Sequence, residues 1–139
     1  MRFVFVDTSG FYAALNRKDV AYREARHLFR QAREERWFLF TTNFVIAETH
    51  ALILTRRGRD RAWQFLRSLY AGRTNVIRVE EGDERRVRSI IEMYRDKDFS
   101  YCDAISFAVM ERLGISEAIS FDEHFRQYGK FVTLSASLS

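Results

Sequence analysis

Five short apolar, β-rich runs alternate with segments of helical periodicity, and this alternation leaves few folds open to the chain. The runs cover residues 2–6, 37–41, 76–79, 118–121 and 131–134. Between the first two, residues 10–16 suit a short helix. A longer one follows from the Asp19 cap to about Arg36, with Ala21, Ala25, Leu28, Phe29 and Ala32 at helical spacing. Between the second and third, residues 43–57, capped by Thr42 or Asn43, present Phe44, Ala47, Ala51, Leu52 and Thr55 to one side. Gly58 ends that helix, and residues 60–71 bury Trp63, Leu66 and Tyr70. Asp83 is placed to cap a fifth helix with Val87, Ile90, Ile91 and Tyr94 inward. A sixth, from Tyr101 to Gly114, is apolar nearly all round between Ala104 and Met110 and should be central. Strands separated by helices predict a parallel sheet covered by helices on both faces. Ser135 to Ser139 reads as a loose tail.

The chain has 139 residues, which suits one domain, residues 1–139, with a single core. Hydrophobic residues are 47% of it and 13 are Phe, which excludes disorder. No apolar run reaches membrane-spanning length and the N-terminus lacks a signal-peptide pattern, so a cytoplasmic protein without a membrane partner is expected. Cys102 stands alone, which rules out a disulfide framework and a thiolate metal cluster. The net charge is +4, carried mostly by Arg, whose fork matches phosphate in two contacts. That composition fits a nucleic-acid partner, and equally an Arg-rich coding bias or a warm habitat.

Chemistry enters with the acids. Asp7 directly follows the first apolar run, and Asp122 the fourth; each precedes a helix start. Either could be a helix N-cap and nothing more. Parallel strands, however, would deliver both carboxylates to one sheet edge, the edge at which open α/β sheets bind ligands. Glu48 falls on the same side of its helix as Phe44, Ala51 and Leu52, so it is expected to point inward, paired either with an Arg or with a metal ion. Asp103 opens the central helix, where it also favours the helix dipole. Two carboxylates at about 4 Å repel by about 4 kcal/mol at an effective dielectric of about 20. Four converging acids would therefore protonate or hold a cation, and oxygen ligands suit Mg²⁺ or Mn²⁺. Such a site implies metal-assisted attack of water on a phosphodiester.

Val6-Asp7-Thr8-Ser9, Glu48, Ser100-Tyr101-Cys102-Asp103-Ala104 and Ser120-Phe121-Asp122-Glu123-His124-Phe125, in this order and spacing, resemble the PIN-domain ribonucleases. The likeness is greatest to the VapC-type toxins of bacterial and archaeal toxin–antitoxin pairs, and it extends over essentially the whole chain. The resemblance implies a three-layer α/β/α fold with a sheet of five strands in order 3-2-1-4-5. It also implies an endoribonuclease dependent on Mg²⁺ or Mn²⁺. By motif, Asp7, Glu48, Asp103 and Asp122 would form the acidic, metal-holding and catalytic set, with Asp7 and Asp103 the main ligands. Thr8, Ser9 and Ser100 would be accessory groups that position water or phosphate. The family further implies a homodimer and a cognate antitoxin. A PIN-type nuclease of RNA processing, or a catalytically silent binding module on the same fold, are the alternatives.

Other signals are weaker. Asp98, beside Lys97, reads first as an exposed loop acid and second as an accessory acid of the site, and His27, His50 and His124 lack metal-ligand spacing. His124 reads as a helix-start residue and Cys102 as a packed thiol. Arg23, Arg26, Arg30 and Arg33 form a stripe that is first a solvated face. Arg56, Arg57, Arg59 and Arg61 are better placed to contact RNA. A phospho-acceptor receiver domain would need a Lys after the last strand, and an Asp-x-Asp phosphatase would need Asp where Ser9 stands.

Overall fold

A computed structural model describes residues 1–136. Its elements run β1 (Phe3–Val6), α1 (Thr8–Leu15), α2 (Tyr22–Glu34), β2 (Phe38–Thr42), α3 (Asn43–Arg57), α4 (Arg59–Ala71), β3 (Asn75–Ile77), α5 (Glu81–Met93), α6 (Tyr101–Leu113), β4 (Glu117–Ile119), α7 (Glu123–Tyr128) and β5 (Val132–Thr133). All five strands pair in parallel in the order β3-β2-β1-β4-β5, flanked by helices as the alternating pattern requires. Val4, Phe5 and Val6 of the central strand are fully buried, consistent with cover on both faces.

The sheet reverses direction of growth beside β1. β2 and β3 extend it to one side, while β4 joins on the other with Val6 opposite Ile119. A crevice opens at such a switch point, beyond the carboxyl ends of the strands. Arg2 clamps the amino ends together through two contacts to Glu117, at 2.9 and 2.7 Å. At the carboxyl ends α1 starts hard against β4: a Cβ on Gly10 would lie 2.5 Å from the carbonyl oxygen of Ile119. Only glycine permits that approach.

Helix α6 is the centre of the molecule, buried without a break from Ala104 to Met110. Phe107 stacks on Tyr128 with ring centroids 4.4 Å apart and meets Phe125 edge-on at 4.9 Å, which locks α7 to α6. Gly58, at φ 90°, separates α3 from α4, so the two helices fold back on one another.

Two helical faces differ from expectation by one residue. In α3 the buried side is Val45, Thr49 and Ile53, and Glu48 is exposed rather than inward. In α4 the buried side is Ala62, Phe65 and Leu69, whereas Trp63 and Tyr70 are 49% and 69% exposed. Asp83 sits three residues inside α5; Glu80 is the cap, and the two complete a reciprocal capping box. In the same helix Val87 and Ile90 are buried as expected, but Ile91 is 41% exposed. The expected loose tail is tied back at Ala136, whose N–H donates to Glu24 Oε2 at 2.8 Å; its remainder, residues 137–139, lies outside the described residues.

Candidate active site

Asp7 leaves β1 already committed to two tasks. It caps α1, with Oδ1 accepting from the Gly10 N–H at 2.9 Å and from the Ser9 hydroxyl at 2.7 Å. Its other oxygen, Oδ2, accepts from the Ser120 hydroxyl at 2.8 Å. Both serines are themselves anchored by the segment after β4. Ser9 Oγ accepts from the Phe121 N–H at 2.8 Å, and Ser120 Oγ from the Asp122 N–H at 3.2 Å. This lattice joins the carboxyl ends of β1 and β4. Asp122 then caps α7, accepting from the His124 N–H at 2.9 Å.

Asp103 arrives from the first turn of α6, where it shares a capping box with Ser100. The Ser100 N–H donates to Asp103 Oδ2 at 3.1 Å, and the Asp103 N–H to Ser100 Oγ at 3.0 Å. The same Oδ2 lies 2.8 Å from His124 Nδ1, which is 3.3 Å from Asp122 Oδ1. Asp7, Asp103 and Asp122 line one cleft of about 370 Å³, and Glu48 and Asp19 contribute to its wall. Arg56 is the cation in that lining. Its guanidinium lies 5.7 Å from the centre of the Tyr12 ring, which holds it against the wall.

Burial decides the electrostatics. Asp7 is 4% exposed, and the loss of water pushes its pKa from 3.8 up to about 7. The three hydrogen bonds oppose that rise and the charge of Asp122 adds to it. Asp103 is raised by burial and again by Asp122, against the Ser100 amide and His124. Cys102, between Glu48 and Asp103, is raised by burial and by those acids, so it remains a thiol. A carboxylate-rich donor set around a buried Asp7 that no cationic side chain among the described residues neutralises fits a hard divalent cation.

The accessory residues separate on inspection. The Ser9 hydroxyl is occupied by Asp7 and Phe121, so it holds the carboxylate rather than a water. Thr8 Oγ1 is buried without a partner and lies in the cleft lining. Ser100 is exposed, outside the lining, and works as the α6 cap. Asp98 is exposed in its loop. Ser120 and His124 were not singled out from sequence. The signal for Ser120 was its position two residues before Asp122; for His124, no local signal reports a contact with Asp103.

A family model described as the PIN domain matches residues 4–131. The chain is 32% identical over 130 residues to the 23S rRNA-specific endonuclease VapC20 of Mycobacterium tuberculosis, covering 91% of this chain and 94% of that one. It is also 32% identical over 123 residues to a VapC ribonuclease of Archaeoglobus fulgidus, covering 86% and 77%. The crystal structure of M. tuberculosis VapC20, described as a sarcin–ricin loop cleaving toxin, superposes with a TM-score of 0.87 at 28% identity, over 96% of this chain and 99% of that one.

Proposed function

The chain belongs to the PIN-domain family, among its VapC-type ribonucleases, and from that premise we propose that it is a divalent-metal-dependent endoribonuclease acting as the toxin of a toxin–antitoxin pair. The observation that carries the proposal is the buried Asp7, joined through two serines to the Asp122 turn and facing Asp103 across one cleft. Asp7, Asp103 and Asp122, with Glu48 at the rim, would hold Mg²⁺ or Mn²⁺. Such an ion would polarise the scissile phosphate and lower the pKa of the attacking water.

The protein's own groups account for the rest. Ser9, Ser120 and the Gly10 amide fix both oxygens of Asp7 before substrate arrives, so its geometry needs no rearrangement during reaction. Arg56 stands in the wall to take a non-bridging phosphate oxygen, and Arg57, Arg59 and Arg61 continue the positive surface along the RNA backbone. Thr8 Oγ1 offers an unused hydroxyl to a water or phosphate.

The whole sequence acts as one nuclease domain in the cytoplasm, where its RNA and a cognate antitoxin would meet it. No described helix is long and apolar enough to cross a membrane. A second copy is the further partner, and the half-exposed Trp63 and Tyr70 give α4 an apolar surface for contact. Purified protein should cut 23S rRNA with Mg²⁺ or Mn²⁺ and stop with chelator. Asp103→Asn should lower the rate by about 10²–10³-fold, the size of loss on removing a preorganised charge-stabilising group. Cleavage undiminished by both treatments would overturn the proposal.

A further inference from the structure

We propose that His124 is a positioning residue that holds Asp103 in its cation-binding orientation. The inference rests on the reading of the cleft as a metal site. Asp103 Oδ2 receives two groups, the Ser100 amide at 3.1 Å and His124 Nδ1 at 2.8 Å. A carboxylate only accepts, so Nδ1 carries the hydrogen and donates it. With Oδ2 so occupied, Oδ1 is the oxygen left for a ligand, and the carboxylate cannot turn without breaking both bonds.

The ring is itself held fast. The His124 backbone N–H donates to Asp122 Oδ1 at 2.9 Å, and Phe99 meets the imidazole edge-on at 5.6 Å. His124 therefore spans the two acids that arrive from the first turn of α6 and from the segment after β4. Ser9 and Ser120 do the corresponding work for Asp7. Asp7 and Asp103 in the cleft thus each have side-chain donors that fix their orientation, an arrangement typical of groups that surround metal ligands.

Direct ligation by His124 is the competing geometry, because ligand atoms of Asp103, Asp122 and His124 lie within 4.8 Å of one another. Ligation through Nδ1 would require it to release its hydrogen bond, and ligation through Nε2 would place a nitrogen on a cation that prefers oxygen. The 2.8 Å contact between Nδ1 and Oδ2, with the carboxylate as acceptor, favours positioning.

The test is Mn²⁺ binding, followed by electron paramagnetic resonance, on the full chain and two variants. His124→Ala should weaken Mn²⁺ about tenfold or more, as loss of an outer hydrogen bond to a metal ligand does. His124→Asn, whose amide nitrogen reaches the place of Nδ1, should recover most of that loss. In 23S rRNA cleavage His124→Ala should lower kcat and leave KM for RNA unchanged. Equal Mn²⁺ affinity in wild type and His124→Ala would overturn the proposal. So would failure of a folded His124→Asn to recover affinity, or a direct nitrogen coupling to Mn²⁺ in wild type that disappears in His124→Ala. Absence of Mn²⁺ binding in wild type would instead remove the metal reading beneath it.

Discussion

Two aspartates in this protein are almost equally hidden from water, and their carboxyl groups are driven in opposite directions. Asp83, 3% exposed at the start of α5, meets Arg112 of α6 in a two-pronged contact, Nε to Oδ1 at 2.9 Å and Nη2 to Oδ2 at 3.0 Å. Burial works to raise its pKa, but the hydrogen bonds from Arg112 and the Glu80 amide, with the charge of Arg112, bring it below 3.8. Asp7, 4% exposed, has donors but no cation, and rises to about 7. Asp83 is neutralised by the fold itself. Asp7 is solvated by hydroxyls and an amide but its ionised form has no compensating cation, the condition of a group whose counterion comes from outside.

The contrast can be broken most decisively through pH. Between about 4 and 7 the folded Asp7 keeps a proton that the unfolded chain has lost, so rising pH favours unfolding of the metal-free protein. With about 1.4 kcal/mol per pKa unit, the loss should reach a few kcal/mol by pH 8. Asp7→Asn should flatten that slope in denaturant titrations, and Mg²⁺ should stabilise wild type at pH 8 but not the variant. For Asp83 the sign reverses: its contribution is present above 3.8 and is lost as pH falls through its lowered pKa.

The next effect belongs to Asp83. Asp83→Asn should cost about 2 kcal/mol, measured as a shift of the urea midpoint. That is less than the about 3–5 kcal/mol for a fully buried pair, because the Arg112 side chain is 32% exposed. Cleavage per folded molecule should be unchanged, whereas Asp7→Asn should lower it by about 10²–10³-fold. The smallest effect probes the hydroxyl lattice. Ser120→Ala removes the donor to Asp7 Oδ2, and cleavage at saturating RNA should fall about tenfold while the urea midpoint moves by about 1 kcal/mol.

Element order and the sheet edge carrying Asp7 and Asp122 were legible because they follow from period and punctuation, whereas the strand order was implied only by the resemblance to PIN domains. The helical faces were less so. In α3, the stripes 44/48/52 and 45/49/53 are both largely apolar at helical spacing, and contact with α1, α4 and α6 selects the second. In α4, Trp63, Leu66 and Tyr70 outweigh Ala62, Phe65 and Leu69 in size, yet the smaller set faces inward, where α3 packs close. The inward Glu48 expected from its helical face is instead exposed at the cleft wall, so it does not draw the acids together. What replaces it is convergence. Asp7, Asp103 and Asp122 each belong to a helix start, the local role that sequence also assigned them, and tertiary structure brings all three to one cleft. Local sequence could show the caps; the meeting of His124 with Asp103 across 21 residues depends on how α7 docks on α6.

The close approach of Gly10 to the Ile119 carbonyl has a consequence for how such a cleft can change over time. At Gly10 the main chain of α1 meets that of β4 directly, and the Ser9 and Ser120 hydroxyls tie Asp7 to the Asp122 turn beside that contact. Substitutions in the core can loosen or tighten the protein around it without altering that contact. Variation that retunes substrate choice is therefore channelled to the outer wall, to α3 and the segment before α2, where Glu48, Arg56 and Val20 face the opening. The floor is held by main-chain and hydroxyl contacts, and the mouth by side chains that can be exchanged one at a time.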